Sequence, residues 1–289
     1  MKLNTKRTML VGLAFLSICI FWQMYDSVMT LILTDTFHLN ETIAGAVMAA
    51  DNVLALFLLP LFGALSDKTN TRIGRRMPYI IGGTAAAVAL MNLLPVLDNA
   101  YAASPSPLIL GLFIAALALL LVAMGVYRSP AVALMPDVTP KPLRSRGNAV
   151  INLMGAVGGI LYLALAAVLY PASRKVAGHV DYQPLFIIVS LIMAVSVLVL
   201  ALTVKEKRLS EENRALEKQH PDWNLAAKDE SGNEVLPKEV KRSLTFLLAS
   251  ISLWFIAYNG VTTWFTKYIE QVMGEGLGGA STCLLVATA

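Results

Sequence analysis

Gly63-Ala64-Leu65-Ser66-Asp67-Lys68-Thr69-Asn70-Thr71-Arg72-Ile73-Gly74-Arg75-Arg76-Met77-Pro78-Tyr79-Ile80 is a short basic turn set between two long apolar runs. One run is Thr42 to Leu65 and the other is Pro78 to Val96. Each is about 20 residues, enough as a helix to cross a bilayer core of roughly 30 Å. A turn this tight, holding Gly, Asp and Arg side chains together, orders two helix ends at one face of a membrane. The rest of the chain is read outward from it.

Composition agrees with a membrane-embedded chain. Hydrophobic residues make up 56% and charged residues only 15%, against about 25% charged in soluble domains. Further spans are predicted at Thr8–Leu33, Leu108–Ala133, Ala149–Tyr170, Leu185–Val204 and Leu244–Phe265, giving seven helices with the two beside the basic turn. Pro60, Pro95 and Pro130 fall inside or at the ends of spans, where packed membrane helices tolerate them. No alternation of period two points to a transmembrane barrel. The first span is too long for the apolar core of a signal peptide, and no small-residue cleavage site follows it, so it is read as a retained helix.

Lys and Arg fix the expected orientation. Of the 23 in the chain, three precede the first span, four lie in or beside the basic turn, three follow the fourth span and nine fall between Lys205 and Arg242. The connections after the first and third spans hold none. This bias predicts the N-terminus and the basic turn on the cytoplasmic side of a cell membrane. The net charge of +4 then reports orientation and attraction to membrane lipid. The basic runs lack the interleaved aromatics of a nucleic-acid binder, and no nucleic-acid partner is expected. Cys19 and Cys283 sit in apolar stretches, and His38, His179 and His220 are scattered. The spacing offers no disulfide, no metal site, no cofactor motif and no nucleophile–His–acid arrangement, so no catalytic residue is assigned and no enzyme is expected.

Residues 205–242 form the one extended polar stretch, between a six-span unit at 1–204 and a further unit at 243–289. Within it Ser210 to Lys218 suits a short surface helix, Asp229 to Asn233 a turn, and Pro237 the first turn of the next helix. The stretch reads as a solvated linker, with a regulatory docking site as the other reading. A repeat also emerges. Shifted by about 233 residues, Tyr25-Asp26-Ser27-Val28-Met29-Thr30 meets Tyr258-Asn259-Gly260-Val261-Thr262-Thr263, and Gly45 meets Gly278. A repeat that begins after six spans suggests a duplicated six-helix bundle.

The turn resembles the loop signature of the major facilitator superfamily, through Gly63-x-x-x-Asp67-Lys68 followed by Arg72-x-Gly74-Arg75-Arg76. Its longer form, running on to Pro78 and Ile80, is similar to the branch of sucrose transporters and glycoside–pentoside–hexuronide:cation symporters. Pro130, Ala133, Leu134 and Asp137, then Arg144, Arg146, Asn148 and Ala149, with Gly155, Val157 and Gly158, are similar to the same branch. The resemblance implies an all-α membrane bundle: a six-helix first half, then the first helix and the start of the next of a second half. On that reading the chain is the N-terminal portion of a twelve-span carrier. It implies alternating access, with helices one, four and seven lining a central cavity and helix two bordering it.

Two departures stand out. Leu121 and Val132 occupy the positions of the sucrose carriers' span-four Asp–Arg pair. Ala55 and Leu59 occupy those of the sodium-binding Asp pair in melibiose-type carriers. Substrate and coupling ion therefore stay open on the resemblance alone.

Charged and amide groups inside spans are costly and mark cavities or partners. Asp26 and Asp51 read as the only acids well inside the first six spans. With Trp22, Gln23, Tyr25, Asn52, Arg128, Asn259 and Trp264 they make the candidate substrate or ion cavity. Each has a structural alternative: a hydrogen-bonded acid, a snorkelling Arg128, packing aromatics. Gly63, Asp67, Arg72, Gly74, Arg75, Arg76 and Asp137 make a candidate conformational latch. In it Asp67 would accept bonds from a helix N-terminus of the other half in the inward-closed state, and Arg72, Arg75 and Arg76 would pair with acids such as Asp137. The expected function is proton-coupled transport of a sugar or glycoside by a monomer in the cell membrane. A lipid or drug carrier and a non-transporting membrane protein are the alternatives.

Overall fold

The computed structural model describes residues 3–171, 178–220, 223 and 237–288. Among them the regular structure is all helix, with no strand. α1 is Thr5–Leu31, α2 Glu41–Lys68, α3 Met77–Ala103, α4 Pro107–Val138, α5 Arg144–Leu169 and α6 Gln183–Thr203. α7, Glu206–Gln219, is short and polar, α8 is Lys238–Tyr268, and α9 is Leu277–Thr288. Seven of these helices are long and apolar enough to cross a bilayer. The basic turn lies at one end of the bundle, called here the basic end; the opposite end is the far end.

Helix starts follow local chemistry. The side chain of Asn4 accepts from the amide of Arg7, and Asn40 and Ser106 accept likewise at the starts of α2 and α4, filling donors that a first helical turn leaves open. α8 begins directly after Pro237, five residues before the expected boundary at 243, because Lys238 to Arg242 continue the same helix. The expected turn at Asp229 to Asn233 lies outside the described residues.

α1 forms the centre of the first six helices and packs against α5, α6 and α4. The α1–α5 contact is made by small residues. A Cβ on Gly158 would run into the backbone of Leu16, and one on Gly155 would lie 2.9 Å from Sγ of Cys19. Close backbone approach is the usual way membrane helices gain packing, since burial against lipid supplies no hydrophobic drive. α4 is fastened to α1 by the buried Tyr127 hydroxyl, which donates to the carbonyl of Ala14 at 2.9 Å.

α8 starts 233 residues after α1, matching the repeat in the sequence. The two helices meet at the far end, where the Thr30 hydroxyl donates to the carbonyl of Thr263, its own repeat mate, at 3.3 Å. Gly45 and Gly278, a second repeat pair, both face the opposite unit. A Cβ on Gly45 would lie 3.3 Å from the Trp264 ring, and one on Gly278 would strike the carbonyl of Tyr170. Both repeat pairs thus lie where α8 and α9 meet the first six helices.

Candidate functional site

Between the first six helices and α8–α9 lies a cavity of about 670 Å³. α1 contributes Trp22, Gln23 and Asp26; α2 contributes Asp51 and Asn52; α4 contributes Arg128; α8 contributes Asn259 and Trp264. The α1 residues share one face because they recur at helical spacing. Arg128 stacks its guanidinium over Trp22, 5.4 Å from the ring centroid, in cation–π geometry. Asp51 Oδ1 accepts from the backbone and side-chain nitrogens of Asn52 at 2.6 and 2.7 Å. The Trp22 indole nitrogen is a buried donor with no hydrogen-bond partner among the described residues. The cavity therefore holds two carboxylates, a cation, amides and an aromatic wall, a set suited to a small polar solute.

Tyr25 does not line this cavity. It is 1% exposed, stacked on Phe21 and edge-on to Trp22. One residue is about 100° of helix, which turns Tyr25 away from the face that carries Asp26. The positions that hold the sodium-binding acids in melibiose-type carriers, Ala55 and Leu59, border a small side chamber beside Asp51 and Arg128.

At the far end α8 is tied to the first six helices. Lys267 of α8 donates to the carboxylates of Asp35 and Glu270, the latter at 2.8 Å. Gln271 reaches Glu41 at 3.4 Å. Among the described residues, all hydrogen bonds and ion pairs that join α8 and α9 to the first six helices lie at this end.

At the basic end the turn is locked to its own unit. Arg75 and Arg76 both bond Asp137 at the end of α4, at 2.6 and 2.9 Å. Arg76 is 4% exposed and also donates to Asp67, to Ser66 and to the carbonyl of Gly63. A Cβ on Gly63 would sit 3.1 Å from the Ser129 hydroxyl, so glycine here lets α2 lie close to α4. Gly74 has φ +129°, a conformation that side chains disfavour, and a Cβ there would strike Glu206.

Glu206, the first residue of α7, is buried at 1% exposure. Its carboxylate accepts from the backbone amides of Arg75, Arg76 and Met77, at 2.8 to 3.1 Å. Those amides open α3, whose own N-cap residue Arg76 supplies no side-chain acceptor. A carboxylate at this position meets both the open donors and the positive end of the helix. α7 is held further by Asn213, which donates to the carbonyls of Asp137 and Thr139, and by Glu217, which pairs with Arg144 at 2.8 Å.

The sequence matches the Major Facilitator Superfamily over residues 11–289. The chain belongs to that superfamily. A segment of 83 residues is 35% identical to YdfJ of Escherichia coli (strain K12), a candidate transporter; it covers 28% of this chain and 18% of that protein. The chain thus aligns with less than a fifth of that relative's length.

In this conformation Asp67 is bound by Arg75 and Arg76 of its own unit. The acid that caps a helix N-terminus is Glu206, and the helix is α3. Arg72 does not join Asp137. It is exposed and points to a separate cavity beside α6, because Gly74 reverses the chain between Arg72 and Arg75. Asp98, near the end of α3, is a further acid inside the first six spans. It is fully buried because α3 runs on to Ala103, past the apolar run that ends at Val96, and His179 Nε2 lies 3.7 Å from it. Among the described residues no group of three or more His, Cys, Asp or Glu side chains is placed to hold a metal ion.

Proposed function

We infer that this superfamily member is a secondary carrier that moves a small polar solute by alternating access, with a sugar or glycoside as the solute class and a proton as the coupling ion. The observation that carries the reading is the cavity of about 670 Å³ between the repeated units, lined by Asp26, Asp51, Arg128, Trp22, Gln23 and Asn259. Sugars are held by amides and carboxylates on their hydroxyls and by an aromatic face, and these groups supply both. The likeness of the longer turn motif to the sucrose and glycoside symporter branch supports the solute class.

Lys and Arg distribution supports a cytoplasmic basic end and N-terminus in the cell membrane. On that orientation the far end, where α8 is tied to the first six helices, is the outer one, and the cavity serves the cytoplasmic side. The basic turn then acts as the latch: Arg75, Arg76 and Asp137 keep α2, α3 and α4 moving as one body while the two units rock. The carrier works as a monomer, since one chain's own repeats supply the moving parts.

Asp26 is the favoured proton carrier. Its repeat mate Asn259 lines the same cavity and retains a polar group without the charge. The test is uptake of labelled mono- and disaccharides by proteoliposomes holding the protein, with and without a pH gradient. Asp26→Asn is expected to abolish accumulation and leave downhill exchange. Accumulation surviving in Asp26→Asn and lost in Asp51→Asn would move the role to Asp51. Uptake of apolar drugs or lipids in place of saccharides would overturn the solute class.

A further inference from the structure

A second cavity, of about 390 Å³, lies outside the bundle at the basic end, between the start of α3, the last turn of α6 and the first turns of α7. Its floor is apolar: Ile81, Ala201 and Val204. Its mouth is cationic: Arg72, Lys205, Lys207 and Arg208. Glu211 is the one acid in the lining, and Arg208 is shared with Glu212 at 2.7 Å. Arg72, Lys205 and Lys207 form no ion pair with any described residue. Glu206 does not offset them. Its carboxylate is turned inward onto α3 and spent on three amides.

The cavity is continuous with surface that faces lipid. Below its floor Leu198 and Leu202 of α6 are 57% and 72% exposed, and Ile81 of α3 is 39% exposed. An amphiphile would thus find its cationic contacts and its apolar track in one groove. The first turn of α7 adds the positive end of a helix at the mouth. A soluble anion would use the mouth alone and leave the apolar floor wet. A zwitterionic lipid would bring its own cation against four others.

We propose that this groove is a binding site for an anionic phospholipid of the leaflet at the basic end, with the phosphate held by Arg72, Lys205, Lys207 and Arg208 and an acyl chain lying along Ile81, Ala201 and Leu202. The bound lipid bridges the basic turn and the start of α7, the two segments that Glu206 joins from the inside. It therefore reinforces the same junction from the membrane side. Basic pockets at this depth are where lipid head groups are recognised.

The test is native mass spectrometry of the full chain released from micelles that hold phosphatidylglycerol and phosphatidylcholine in equal amounts. Wild type is expected to retain phosphatidylglycerol about tenfold over phosphatidylcholine. Lys205→Gln/Lys207→Gln/Arg208→Gln should lose that preference. Lys205→Arg/Lys207→Arg, which keeps charge, should retain it, and so should Lys6→Gln/Arg7→Gln, which removes charge outside the groove. Equal retention of the two lipids by wild type would overturn the proposal. So would a preference that survives the triple Gln variant, or one lost equally in the charge-keeping variant. Displacement of phosphatidylglycerol by millimolar glycerol phosphate would assign the cations to a soluble phosphate and overturn the lipid.

Discussion

Glu206 shows how far a single side chain can act along the sequence. It is separated from Arg76 by 130 residues, yet it supplies the cap that α3 lacks. Hydrogen bonds to a charged partner contribute about 1.5–3 kcal/mol each way of counting, and a buried donor left open costs about 1–3 kcal/mol. Glu206→Gln keeps the shape but turns an amide NH₂ toward amide donors. It is expected to destabilise the protein by about 2–3 kcal/mol, read as a lower thermal midpoint in detergent. Glu217→Gln, which breaks the half-exposed pair with Arg144, should cost under about 1 kcal/mol. The equal response of both variants would reject the cap. Nothing in the sequence around Glu206 reveals this role. Lys205-Glu206-Lys207-Arg208 looks like any solvated charge run, and the information lies in where α6 ends relative to the start of α3. By contrast, Asp26, Asp51 and Arg128 were legible as cavity residues because charge inside an apolar span has few other uses. Tyr25 was not, because its hydroxyl and ring suit a core and a binding wall equally.

Helices were the most legible scale. All seven spans follow from hydropathy and length alone, and the turns between them from Pro, Gly and charge. What hydropathy does not encode is which faces touch. The α1–α5 approach depends on Gly158 and Gly155, and its tightness appears only when the backbones are placed. Gly158→Val would force Leu16 and its neighbours apart. Overpacking of this kind costs about 1–3 kcal/mol or more. The expected readout is a large loss of folded, monodisperse protein. Gly82 has open space where a Cβ would go, so Gly82→Ala should be neutral or gain up to about 1 kcal/mol. Comparable loss in both variants would reject close approach as the cause. α7 is the element that reading by composition underrates. Its later part was readable from Ser210 to Lys218, but it starts four residues earlier, and its docking on α3, α4 and α5 comes from Glu206, Asn213 and Glu217 together.

Among the described residues α8 and α9 meet the first six helices at the far end, with a polar cavity between them. The orientation of the whole molecule rests on the charge bias, and a direct measurement checks it. In a protein otherwise free of reactive thiols, a cysteine at the exposed Ser104, in the far-end connection between α3 and α4, should react with an impermeant thiol reagent added outside intact cells. A cysteine at Lys218, near the end of α7, should react only after permeabilisation. The reverse pattern would invert the topology and move the basic turn outside. The repeat was legible only as scattered matches at an offset of about 233. The contact between Thr30 and Thr263 gives that offset a physical meaning: a residue and its repeat mate meet where the two units face each other.

The cap on α3 also sets an order of events during synthesis. The ribosome makes Arg76 about 130 residues before Glu206, an interval on the order of ten seconds at typical elongation rates. Throughout it α2 and α3 are already in the membrane with the amides of Arg75, Arg76 and Met77 uncapped. The first bundle is therefore clasped by its last-made part. A nascent chain stalled after α6, in which Arg75 and Arg76 already have Asp67 and Asp137, would still present an open helix start, the kind of unfinished surface that folding factors and proteases survey.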